Sequence, residues 1–212
     1  MYVTEGAKVM AIVVTDLSMS LDGFIAGPND GPANPMGDRG MRLFDWYTSG
    51  DVRPVRFYQD FGLSPESVAV FNERIETGGA VITGRRTYDI ANAWGGDGPL
   101  SGAPVFVLTH RPPEEVPRGR ATYTYVTDGI ESAVAQAKQA AGDKAVSLMG
   151  SAAPQQALRA GLLDEIHIDL IPVLLGGGVR LFDHLGDETI ELERTRVVEA
   201  PGVTHLAFRV IR

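Results

Sequence analysis

The chain has 212 residues, 44% of them hydrophobic, which suits a single well-packed domain. Its formal net charge is −8 and it contains no cysteine. That balance disfavours nucleic acid as a partner and excludes both a disulfide framework and a thiolate that ligates metal or attacks a substrate.

No apolar run reaches the roughly 18 residues that a membrane span needs. Met1–Lys8 is short and polar, lacks the layout of a signal peptide, and reads as an extension before one domain over 9–212. A cytoplasmic location fits these features. No metal is expected, because His110, His167, His184 and His205 are scattered without ligand spacing.

Val9–Leu17 is a nearly continuous apolar, β-branched run, the pattern of a strand buried on both faces. From Pro28 to Gly62 the chain turns to Gly, Pro, Asp and aromatic residues, a long loop with a short helix around Met41–Tyr47. Ser64 and Pro65 supply an N-cap and a first helical residue, and Val68, Phe71 and Ile75 repeat at helical spacing until Gly78-Gly79. Ala80–Thr83 is a strand, and Gly84–Tyr88 opens a helix that ends before Gly95-Gly96. Val105–Thr109 and Thr122–Val126 are strands.

Asp128 and Glu131 are spaced as a capping box for a helix with Ile130, Val134 and Ala137 on one face. Ala145–Met149 is a buried strand that runs into Gly150-Ser151-Ala152, and Pro154–Ala160 is a helix stopped by Gly161. In Asp164–Ile171 a strand alternates Ile166, Ile168 and Leu170. Thr189–Val198 and Val203–Ile211 flank Ala200-Pro201-Gly202 as an antiparallel pair. The alternation of strands and helices, closed by this pair, predicts an α/β fold with a mixed sheet and helices on both faces.

Three strand-to-helix transitions carry candidate chemistry. Gly84-Arg85-Arg86-Thr87 sets a helix start and two guanidinium groups after a strand, a place that favours an anion. It also fits a helix start with two solvated arginines. Thr109-His110-Arg111 ends a strand with three polar groups, where open α/β sheets hold ligands, or forms an ordinary polar loop before Pro112. Gly150-Ser151-Ala152 lets a backbone approach a pyrophosphate, or is a turn that needs positive φ.

Both GxGxxG after the first strand and the P-loop motif are missing. Gly176-Gly177-Gly178 reads as a sharp reversal. Ser151 lacks the GxSxG elbow of a hydrolase nucleophile. Asp22, Asp45 and Asp51 are acid/base candidates that equally suit turns and caps. Trp46, Tyr47 and Trp94 can stack on a flat ring or fill a core.

Together, Ser20-Leu-Asp-Gly-Phe-Ile-Ala26, Thr83-Gly-Arg-Arg-Thr-Tyr88, Gly150 and the Asp164–Gly177 run (DEIHIDLIPVLLGG) resemble the dihydrofolate-reductase superfamily. More closely, they resemble the reductase domain of the bifunctional riboflavin-biosynthesis deaminase/reductase, over Val9 to Arg212. The resemblance implies a three-layer α/β/α domain with a mostly parallel sheet of about eight strands. It implies NADPH as cofactor, with Gly84, Arg85, Arg86 and Thr87 on its phosphates and Thr109, His110 and Arg111 near the adenosine 2′-phosphate. Gly150, Ser151 and Ala152 would approach the pyrophosphate, and Ser18 and Ile25 would line the nicotinamide pocket.

Asp22, Phe24 and Trp46 would face substrate, and Asp45 is the candidate proton source. A homodimer is implied as well. The substrate would be the ribosylamino-pyrimidine of riboflavin synthesis or a pterin. A dinucleotide- or flavin-binding protein without turnover is the alternative of another class. The resemblance does not extend to the deaminase half, whose zinc site needs cysteines that this chain lacks.

Overall fold

The structure, a computed structural model, describes residues 11–54, 60–100 and 102–212. The expected extension Met1–Lys8 and the first two residues of the expected first strand lie outside the described residues. The strands are β1 (Val13–Ser20), β2 (Phe24–Ala26), β3 (Gly78–Gly84), β4 (Val105–Leu108), β5 (Tyr123–Val126), β6 (Ala145–Met149), β7 (Glu165–Ile171), β8 (Val179–Arg180), β9 (Leu192–Ala200) and β10 (Val203–Val210). The helices are α1 (Pro65–Thr77), α2 (Arg85–Ile90), α3 (Ile130–Ala141) and α4 (Ala152–Arg159), with a 3-10 helix over Gly40–Thr48.

Eight strands form one sheet in the order β5-β4-β3-β6-β1-β7-β10-β9, and β2 pairs separately with β8. Strands β1 and β3 to β7 all run parallel, while β10 is antiparallel to both β7 and β9. The six C-terminal ends therefore lie along one edge, and ligands of open α/β sheets bind at such an edge.

Period-2 alternation decides which residue faces which layer. Val13, Ile82, Phe106, Leu148, Ile166 and Ile168 join α3 and α4 in the larger core. On the opposite face Val81, Val105 and Val107 pack with Tyr88 of α2. There Phe71 of α1 meets Leu43 and Trp46 of the 3-10 helix. Toward the middle of that face the sheet carries polar groups, Asp16, Ser18, His167, Asp169 and His205, which the apolar pattern of β1 and β7 does not reveal.

Local signals behave unevenly. Ser64 caps α1 as expected, its hydroxyl accepting from the Ser67 amide at 3.2 Å. The capping box expected at Asp128 and Glu131 is not formed. Gly129, with φ of 102°, occupies the cap position of α3 and no side chain bonds there. The chain enters that helix through a conformation that glycine adopts at little cost, so Asp128 never reaches cap geometry.

Candidate functional site

The three transitions meet at adjacent strand ends. Gly150 adopts φ of 79°, and a Cβ at that position would stand 2.4 Å from the Thr87 hydroxyl. Gly84 lies against Ala152, where an added Cβ would make an ordinary 3.5 Å contact. The ends of β3 and β6 thus abut backbone to side chain. The end of β4 is tied in by Arg85, whose Nη1 donates to the Arg111 carbonyl at 2.5 Å. Thr109 folds this loop back, donating through Oγ1 to the Arg111 carbonyl at 3.0 Å and accepting from the Arg111 amide at 3.1 Å. His110 and Arg111 are exposed.

Two of the basic groups at this rim, Arg85 and Arg86, are already partnered. Arg85 Nε donates to Asp89 at 2.8 Å, one helical turn on. Arg86 Nη2 donates to the Asp30 carboxylate at 2.7 Å and to the Asp30 carbonyl at 2.8 Å, so a residue of the long loop lies against the first turn of α2.

At the end of β1 the Ser18 hydroxyl accepts from the Trp46 indole Nε1 at 3.1 Å. Ile25 is buried against the larger core. Phe24 is buried on the opposite side, with the Arg180 guanidinium 4.4 Å above its ring centroid. Trp46 is 2% exposed and packs edge-on against Tyr47, Phe71 and His205. Its indole is a core element, which corrects the expectation that it faces substrate. Trp94 packs with Val81, Tyr88 and Val105.

Two carboxylates also have other work. Asp22 accepts from the Ser20 hydroxyl at 2.6 Å and from the amides of Leu175 and Gly176 at 3.1 and 2.7 Å. The Ser20 hydroxyl, with the Gly176 and Leu175 amides, holds its carboxyl down at about 2 against the opposing effect of burial. It clamps the triple-glycine reversal and does not point free toward a substrate. Asp45, the expected proton source, is 53% exposed and pairs with Arg42 at 2.6 Å. Leu43 and Trp46 take the inward side of this 3-10 helix, so Asp45 is turned out to solvent.

A second ionic cluster lies between α1 and the sheet, unforeseen from the sequence. Arg74 Nη1 contacts Asp16 at 2.8 Å and Asp169 at 2.9 Å. His205 Nδ1 lies 2.6 Å from Asp169, and its Nε2 lies 3.0 Å from the Ser67 hydroxyl. Burial, partly offset by Arg74 and reinforced by the neighbouring Asp169 charge, pushes the Asp16 carboxyl up to about 7. For Asp169 burial acts in the same direction, but Arg74 and His205 outweigh it and hold the carboxyl below its ordinary value. A cavity of about 280 Å³ opens beside this cluster, lined by Glu73, Arg74, His167, Arg196 and His205. The helical periodicity of α1 marks Arg74 only as a polar position, so no linear signal joins it to residues on β1, β7 and β10.

The sheet order, mostly parallel with an antiparallel C-terminal pair, defines a dihydrofolate-reductase-like α/β/α protein. Residues 11–206 match the family described as the RibD C-terminal domain, and the chain belongs to that family. The YwjB protein of Bacillus subtilis is 26% identical over 173 residues, spanning 82% of this chain and 83% of that protein. A candidate riboflavin biosynthesis protein from Shewanella sp. PV-4 is 26% identical, with a TM-score of 0.65 over 96% of this chain and 100% of that one. Dihydrofolate reductase from Enterococcus faecalis shares the fold at 14% identity, with a TM-score of 0.58 over 97% of this chain and 100% of that one. The deaminase/reductase from Thermotoga maritima shares it at 16% identity and a TM-score of 0.57, covering 95% of this chain and 57% of that one.

Proposed function

We propose that the chain is a reductase that binds NADPH along the ends of β3, β4 and β6 and reduces a small heterocycle. The observation that carries this reading is the meeting of Gly84–Thr87, Thr109–Arg111 and Gly150–Ala152 on one rim. The cradle fits a pyrophosphate, because Gly150 presents bare backbone where any side chain would collide with Thr87. Arg85, Arg86 and Arg111 surround it with positive charge, which favours NADPH over NADH. Family membership supports the same reading. Among proteins of this fold, the E. faecalis enzyme is complexed with NADP(H), and the T. maritima protein is a 5-amino-6-(5-phosphoribosylamino)uracil reductase. That compound and a pterin are the two substrate classes in view.

When bound, the cofactor supplies the hydride. This chain's residues supply placement. The Gly150–Ala152 backbone and the arginines hold phosphates, Ser18 and Ile25 border the nicotinamide end, and Phe24 with Trp46 closes the core behind β1 against water. A homodimer belongs to the reading. β9 is an edge strand with nearly all its side chains exposed, Leu192 and Val197 among them, and light scattering would report the mass of two chains.

The outward position of Asp45 favours a second reading, a dinucleotide-binding protein without turnover. One assay separates the two. With NADPH and a panel of ribosylamino-pyrimidine, pterin and flavin substrates, a reductase lowers the reduced-nicotinamide absorbance. NADPH binding without that loss favours the second reading. Absence of any thermal stabilisation by NADPH overturns both.

A further inference from the structure

Arg86 reaches out of α2 to a residue 56 positions earlier in the chain. Its partner Asp30 sits in a loop braced by its own bonds. Gly27 donates to Met36 at 2.8 Å and Asp38 to Pro28 at 2.7 Å, closing the two ends. Gly31 and Asn34 exchange backbone bonds at 3.1 and 2.9 Å. The Asn29 and Asn34 amides both hold the Asp38 carboxylate, at 2.7 and 3.1 Å. These bonds brace the loop within itself. Its side-chain tie to α2, among the described residues, is the Arg86–Asp30 pair.

The pair has unequal ends. The Asp30 side chain is 14% exposed, whereas that of Arg86 is 66% exposed. The guanidinium is therefore open to solvent on its remaining faces, while the carboxylate lies in the groove between loop and helix. A phosphate arriving at Arg86 meets a negative group already in place, and the two anions repel across a few ångströms. Asp89 cannot withdraw from Arg85 in the same way, because both residues belong to α2. Asp30 is not fixed to Arg86 by a shared helix, because it lies outside α2 on the braced loop.

We propose that Asp30 is an internal competitor for the phosphate of the dinucleotide. It occupies Arg86 when the ligand is absent and yields it on binding, so ligand binding is coupled to release of the 28–38 loop. The inference rests on the cofactor reading above. It adds a residue that sets affinity without touching the reacting atoms, and a reciprocal link between loop and ligand.

The test is a double-mutant cycle on the full chain, with NADPH and NADH titrated by fluorescence or calorimetry. D30N keeps the shape of the side chain and removes its charge. It tightens NADPH binding about two- to fivefold, the span of an exposed ion pair. In an R86A background D30N has no further effect, whereas a diffuse gain from losing one acidic charge would persist there. The gain shrinks as salt screens the pair. If NADH tightens equally, Arg86 meets the pyrophosphate, and if only NADPH tightens, it meets the 2′-phosphate. A second readout is amide exchange over 28–38, which rises when the wild-type chain is saturated with NADPH. Unchanged affinity in D30N, or an equal gain in the R86A background, overturns the inference and leaves the cofactor reading standing. A wild-type chain that binds neither dinucleotide overturns both.

Discussion

Two arginines hold aspartates on the same side of this sheet, and they illustrate opposite uses of charge. Arg74 is 16% exposed and locks Asp16, Asp169 and, through Asp169, His205 into one cluster under α1. Arg86 is 66% exposed and holds one aspartate from a separate loop. The guanidinium in the first case has nowhere to go, and removing it strands two carboxylates in a poorly solvated place. In the second case the guanidinium can trade one anion for another at small cost. Burial, more than the residue pair itself, decides which arginine is locked in place and which stays open to solvent.

The largest expected effect comes from breaking the buried cluster. R74M removes the cation that Asp16 and Asp169 share, which costs about 3–5 kcal/mol of stability. Urea denaturation measures it. Adding D16N and D169N to R74M removes the stranded charges and recovers most of the loss. If R74M is tolerated on its own, the cluster is better solvated than its geometry indicates and the contrast with Arg86 collapses.

G150A is next, at the strand-end rim. Alanine at φ of 79° costs about 1–2 kcal/mol in backbone strain, and its Cβ displaces the Thr87 hydroxyl. NADPH affinity falls on the order of tenfold, since a shifted phosphate cradle is a misplaced one. An Ala variant that binds NADPH normally would mean that the pyrophosphate lies elsewhere.

The pH dependence of stability sharpens the buried half of the comparison. Asp16, Asp169 and Arg74 together carry one negative charge too many, and a proton on Asp16 removes it. With the Asp16 carboxyl pushed up to about 7 by burial, the folded chain keeps a proton that the unfolded chain sheds above its ordinary 3.8. The native state then binds more protons than the unfolded state, so this group's contribution is present below 3.8 and is lost as pH rises toward 7. Glu73, Glu165, His167, Arg196 and Tyr47 also face the region, and burial lowers His167, which works in the opposite direction near its ordinary value of 6.5. The wild-type-minus-D16N difference isolates Asp16. Denaturation across pH 4 to 7 should show wild type losing stability relative to D16N, and a flat difference would mean that Asp16 is ionised throughout.

The strand ends and helix starts at the rim are legible in the sequence and the buried cluster is not, for physical reasons. Gly84–Thr87 and Gly150–Ala152 announce themselves because strand ends and helix starts are local events with local residue preferences. Asp169 and His205 stand 36 positions apart, and Asp169 and Arg74 95 apart. They meet only because β7 lies between β1 and β10, an order that no local pattern encodes. The alternation of Ile166, Ile168 and Leu170 marks one face of β7 as apolar and says nothing of what its polar face meets. Asp128 failed as a cap because a neighbouring glycine offered the chain an easier entry. The Asp30–Arg86 contact depends on the path of a long loop, which composition marks as irregular without giving its course.

Asp45 gives the smallest expected effect and the sharpest test of what exposure means. Its pair with Arg42 lies three residues apart on a surface turn, with both side chains more than half exposed. Such pairs contribute little, because solvent screens them and both side chains lose freedom in forming them. Among the described residues no hydrogen bond or ion pair joins the Asp45 side chain to Ser18 or to the rim, whereas its neighbour Trp46 reaches Ser18 directly. D45N should therefore leave stability, NADPH affinity and any turnover within about twofold of wild type. The measurement is a steady-state rate beside an NADPH titration on the same preparation. A D45N protein that binds NADPH normally and turns over far more slowly would restore Asp45 as the proton source. The 3-10 helix would then have to rotate during the reaction, bringing Asp45 in and taking Trp46 out of the core. That rotation would break the indole bond to Ser18 and the edge contact with His205, so the buried cluster and the site would be one coupled system rather than two.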